Sequence, residues 1–114
     1  MAAAKVERRV YSVSSPQLFG ICVAVLGQLR ATIERHNVEE ATIVAALGEG
    51  LLAPISELAL ALRPLGEGQT ELAATWRARK HGGDRRLLAV FLEAVDTLII
   101  ANSSLIEPQR TPRS

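Results

Sequence analysis

The large apolar residues between Val38 and Arg63 set the first expectation. Val44, Leu47, Leu51, Ile55, Leu58, Leu62 and Leu65 follow one another at steps of three or four, which on an α-helix makes one continuous stripe. Burying seven such side chains is worth roughly 1.5–3 kcal/mol each before conformational entropy is subtracted. This stretch is therefore predicted to be a core helix around which the rest packs. Gly48-Glu49-Gly50 and Pro54 interrupt it. Because the stripe keeps its phase across them, a kink is favoured over a break. The alternative of a true break is supported by the recurrence of Leu-Gly-Glu-Gly at 65–68, where Pro64 marks a turn.

The same periodicity places three more helices. Ser14-Ser15-Pro16 combines an N-cap with a proline at the first helical position, and from there Leu18, Cys22, Val25, Leu29 and Ile33, flanked by Phe19, Val23 and Leu26, predict a broadly apolar first helix to about Arg35. His36-Asn37 is read as a tight turn, with Asn37 and Glu40 resembling a capping box. A short third helix is predicted from Thr70 to about Lys80, packing through Leu72 and Trp76. A fourth is predicted from Asp84 to about Ala101, with Leu88, Leu92, Val95 and Ile99 on one stripe and Leu87, Phe91 and Leu98 on the next. Residues 1–13 are read as an N-terminal arm, 14–102 as the bundle and 103–114 as a flexible tail. The expected fold is all-α, a compact antiparallel four-helix bundle with a kinked second helix.

Composition agrees with helices. Apolar residues make up 48% of the 114 and aromatics only 4%, a Leu and Ala balance that suits helix-on-helix packing. The net charge of +1 argues against a globally steered polyanion binder. The lone Cys22 lies in an apolar run, reads as a small buried hydrophobe and favours a reducing compartment. No stretch reads as a secretory signal or membrane span, so a cytoplasmic protein is expected.

Candidate chemistry is sparse. Neither Gly-Glu-Gly is followed by the Lys-Ser/Thr of a phosphate loop, and His36 and His81 form no ligand cluster with Cys22. Ser15, Ser56 and Ser103 have no base at a recognisable spacing. Neither an enzyme nor a cofactor or metal is expected. The one unusual composition is 76–86, with five positive charges against one negative in eleven residues. Trp76, Arg77, Arg79, Lys80, Arg85 and Arg86 are therefore the candidate partner-binding corner, either for an acidic protein or, as the alternative function, for nucleic acid or phosphate.

The run Leu51-Leu-Ala-Pro-Ile-Ser-Glu57 resembles one in the N-terminal helical-bundle domain of cyclase-associated protein. Trp76-Arg77, Lys80, Gly83 and Ala89-Val90 or Ala94-Val95 stand where that family has its basic turn and following helix, so the likeness covers residues 51–101. The spacing departs by about a dozen extra residues, Leu62 to Ala73. The resemblance implies a protein-binding bundle that self-associates and contacts actin or an actin-severing factor. The expected function is thus a non-enzymatic interaction or scaffold module whose partner is a protein, a second copy included.

Overall fold

The computed structural model describes residues 4–47, 56–66, 68–79 and 86–110, with side chains to residue 101. It is an antiparallel sheet crossed by two helices, in the order β1 (Ala4–Tyr11), α1 (Ser15–Gln28), β2 (Thr32–Asn37), β3 (Thr42–Leu47), β4 (Ser56–Gly66), β5 (Gln69–Ala78) and α2 (Arg86–Arg110). The strands lie side by side as β1-β5-β4-β3-β2. The expected all-α bundle is wrong. Its second helix is β3 and β4, and its third is β5. The kink assigned to Gly48-Glu49-Gly50 and Pro54 falls outside the described residues.

The physical reason is a period of two hidden in helix-forming residues. In β4, Ser56, Leu58, Leu60 and Leu62 are buried while Glu57, Ala59, Ala61 and Arg63 face the other way. In β5, Thr70, Leu72, Ala74 and Trp76 are buried and Glu71, Ala73, Thr75 and Arg77 alternate with them. Strict alternation is the mark of a strand with one buried face. Here alanine fills several outward positions, and its helix preference disguises the pattern. Pro64 and Gly66 shift the β4–β5 register just before Gly68, whose φ of +72° suits glycine in the connecting turn. Arg63 reaches its cross-strand partner Glu71 at 3.0 Å.

Helix α1 begins as the sequence indicates. Ser14 is its N-cap, accepting from Gln17 N–H at 3.3 Å, with proline in the first turn. It stops at Gln28, not near Arg35, because Arg30 adopts a left-handed φ of 60°. Arg30 N–H then donates to the Gly27 carbonyl and Ala31 N–H to the Leu26 carbonyl, at 3.1 and 2.9 Å. These two bonds make a Schellman cap. Arginine occupies the position where glycine would have signalled the stop, so Ile33 continues into β2 instead.

Asn37 and Glu40 make the hydrogen bond their spacing suggests, Glu40 N–H to Asn37 Oδ1 at 3.0 Å, but within the β2–β3 turn. Helix α2 buries Leu88, Phe91, Leu92 and Val95 at helical spacing. With Leu18, Ile21, Cys22, Val25 and Leu26 of α1 they close over the inner face of the sheet. Among the described residues no helix is long and apolar enough to cross a membrane.

Candidate functional site

The covered face of the sheet is built in rows. Leu60 lies opposite Ile43 on one side and Ala74 on the other, and Leu58 opposite Ala45 and Trp76. Ser56 lies opposite Leu47 and Ala78. Leu58, Leu60, Trp76 and Phe91 are at most 2% exposed. At the Ser56 end two polar atoms enter this apolar interior without a hydrogen-bond partner, Ser56 Oγ and Trp76 Nε1. Trp76 is one strand over from Ser56 and one row along. An unpaired buried donor costs roughly 1–3 kcal/mol, and native interiors hold few of them. Two on one face at one end mark a place where a hydrogen-bonding group would be welcome.

The opposite end is polar and satisfied. Tyr11, which faces inward from β1, donates to Asp96 Oδ1 of α2 at 2.8 Å, and Arg9 Nη1 donates to Asp96 Oδ2 at 3.1 Å. Burial first, and then the hydrogen bond that the Asp96 carboxylate accepts from it, raises the Tyr11 phenol well above its ordinary range. It therefore stays protonated as a donor. Thr70 Oγ1 donates to the Val13 carbonyl at 2.8 Å, tying the link between β1 and α1 to the start of β5. Arg9, Arg86, Ala89, Val90, Glu93 and Asp96 line a groove of about 420 Å3 beside this cluster.

Of the basic corner expected from residues 76–86, the structure describes 76–79 and 86. Trp76 points into the core at 2% exposure, whereas Arg77 is exposed on the outer face. Arg79 Nη2 reaches Glu34 at 2.6 Å and Glu57 at 2.8 Å, joining the ends of β5, β4 and β2. Arg86 opens α2 in the groove with Arg9. Lys80, Arg85 and His81 lie outside the described residues. Cys22 is fully buried, and desolvation pushes its thiol up to about 12. His36 lines an open groove of about 680 Å3 along β2 and β3. Among the described residues no three His, Cys, Asp or Glu side chains converge as metal ligands. Ser56 and Trp76 together were beyond the helical reading. Only the inward set Ser56, Leu58, Leu60, Leu62, read at period two beside Thr70, Leu72, Ala74, Trp76, reveals a hydroxyl and an indole on one face.

Comparison with solved structures identifies the architecture. One domain's worth of StfQ, a di-domain aromatase/cyclase of the steffimycin pathway, superposes with a TM-score of 0.66 at 11% identity, over 93% of this chain and 47% of that one. Ara h 8.0201 gives 0.65 at 9% identity, over 89% and 99%. Norcoclaurine synthase of Thalictrum flavum gives 0.61 at 8%, over 90% and 97%. The chain has a Bet v1-like fold. At these identities the likeness is one of fold. This chain spans about half the length of StfQ. No protein-family model matches the chain, and no curated protein does either.

The resemblance to the cyclase-associated protein bundle is thereby overturned. The Ser56-Glu57 end of its specific run is a β-strand, Leu51 to Ile55 lie outside the described residues, and Trp76-Arg77 belongs to β5. The helical scaffold function falls with the bundle that carried it, and its nucleic-acid or phosphate alternative at the Trp76–Arg86 corner loses Trp76, which is buried in the core.

Proposed function

We propose that this protein binds a small, largely apolar molecule carrying at least one hydrogen-bond acceptor, at the Ser56 end of the inner face of the sheet. The observation that carries this reading is the pair of buried, unpartnered groups, Ser56 Oγ and Trp76 Nε1. The indole N–H is only a donor, while the hydroxyl can give or take. An acceptor on the ligand would relieve both penalties, and the surrounding Leu47, Leu58 and Ala78 would take its apolar part.

The fold supports the reading by analogy. A second structure of norcoclaurine synthase, with a TM-score of 0.53, holds dopamine and hydroxybenzaldehyde. A binding role is favoured over catalysis because the acid–base groups described on the covered face satisfy one another. Tyr11, Asp96, Arg9 and Glu7 bond to one another, and the Cys22 thiol is held far from the thiolate at neutral pH.

Trp76 is the chain's single tryptophan, so its emission reports the site directly. Titration with hydroxybenzaldehyde, dopamine and anilinonaphthalene sulfonate should give a saturable change for at least one probe, weakened about tenfold in Ser56→Ala, as expected for one lost hydrogen bond. No saturable change with any of the three, or equal affinity in the variant, refutes the reading.

A further inference from the structure

The two edges of the sheet are unlike. Strand β2 is six residues long, its register slips between Ile33 and Arg35, and it exposes Thr32, Glu34, Arg35, His36 and Asn37. A bulge and charge along a short strand are the usual defences of an edge against another chain. Strand β1 carries charge at Lys5, Glu7, Arg8 and Arg9 but has neither the bulge nor the shortness. It pairs with β5 in unbroken register from Ala4↔Arg77 to Tyr11↔Thr70, and its other edge has no strand partner among the described residues. Val6 and Val10, on the outer face, are 50% and 54% exposed.

The sequence of β1 is self-complementary. Antiparallel pairing of two copies about a two-fold axis at Arg8 sets Val6 against Val10 of the second copy, twice. On the opposite face it sets Glu7 against Arg9, also twice, extending the pairs that Arg9 already makes with Glu7 and Asp96 of its own chain. Apolar and opposite-charge pairs directly across a ladder are the units that stabilise a sheet, and such a pairing is isologous and closed. Arg8 meets its own copy at the axis, the one unfavourable contact. The alternative axis at Glu7 opposes Glu7 to itself and Lys5 to Arg9, and loses the valine pair. An axis at Val6 engages only residues 4–8 of the described strand.

We propose that the β1 edge takes a second copy of this chain, joining two five-stranded sheets into one of ten strands in the register centred on Arg8. The interface is small and rests on backbone hydrogen bonds and two valine pairs, so the dimer forms with rising concentration. It is independent of the ligand reading, since Val6, Arg8 and Val10 lie on the outer face, away from Ser56 and Trp76.

Light scattering on the full chain across a hundredfold concentration range should show the mass rising toward twice that of the monomer. The double variant Val6→Lys with Val10→Lys should stay monomeric with unchanged Trp76 emission, because both positions are already exposed. Under mild oxidation Arg8→Cys should cross-link to itself within the dimer, whereas Val10→Cys, which faces Val6, should not. Buried Cys22 leaves the assay clean. A monomer at every concentration, a dimer that survives the double lysine variant, or self-linking at position 10 or 6 in place of 8 overturns the proposal.

Discussion

Replacing Ser56 by alanine should make this protein more stable. In most buried strands, loss of a serine hydroxyl breaks a hydrogen bond and costs about 1 kcal/mol. Ser56 is fully buried and its Oγ has no partner, so the folded state carries a desolvation penalty of roughly 1–3 kcal/mol with no bond to offset it. Removing one oxygen leaves too small a void to cancel that gain, since the cavity cost runs near 24 cal/mol per Å3. A net gain of about 1 kcal/mol follows, which for a domain of this size raises the midpoint of thermal unfolding by about 4 °C. Urea unfolding followed by Trp76 emission measures it directly, as a higher midpoint at unchanged slope. The same substitution weakens ligand capture, so stability and binding move in opposite directions. A loss of 1 kcal/mol or more in Ser56→Ala would mean that the hydroxyl is already satisfied, and the functional reading would go with it.

Three further outcomes follow from the geometry. The Cys22 thiol, pushed from 9.0 up to about 12 by burial, stays neutral in the fold while the unfolded chain ionises. Its contribution is therefore complete below pH 9 and falls by about 1.4 kcal/mol per pH unit above it; urea curves from pH 7 to 11 should show this extra slope in the native chain and not in Cys22→Ala. Tyr11→Phe removes a hydrogen bond to the Asp96 carboxylate and should cost about 1.5–3 kcal/mol in the same assay, while leaving any ligand affinity at the far end of the sheet unchanged. Arg79 holds β2 through Glu34, whose carboxyl the Arg79 hydrogen bonds keep below its ordinary range. That contribution is present above the ordinary carboxylate range and is lost as pH falls through the lowered value. Arg79→Ala should speed hydrogen exchange of the β2 amides at neutral pH, and Arg79→Lys should not restore them, since lysine has no fork to bridge two carboxylates.

How much of this could be read from the chain depends on which residues carried each signal. Helix α1 announced its start through Ser14 and Pro16, and α2 announced its buried stripe through Leu88, Leu92 and Val95, because caps and helical spacing act locally. The end of α1 was hidden because Arg30, not glycine, adopts the left-handed cap. The sheet was hidden for a different reason. Val44 faces outward, Leu47, Leu58 and Leu62 face inward and Leu65 is exposed, so the stripe that suggested a helix mixes both faces of two strands. Leu and Ala alternate through β4, and neither favours a strand by itself. Tertiary pairing with β3 and β5 overrides that preference.

The candidate site inherits the same illegibility, and this is what gives it weight. A strand of alternating Leu and Ala between two neighbours has no structural need for a hydroxyl at its buried end. Alanine at position 56 would keep every ladder bond, and the opposed Leu47 and Ala78 would pack against it as readily. Thr70, the other polar residue on this face of β4 and β5, repays its burial through the Val13 carbonyl. Ser56 does not, nor does the indole N–H one row away. On this face of β4 and β5, one polar group is thus explained by the fold and two are not. The unexplained pair lies where the described apolar interior ends, the position from which a bound acceptor could reach both.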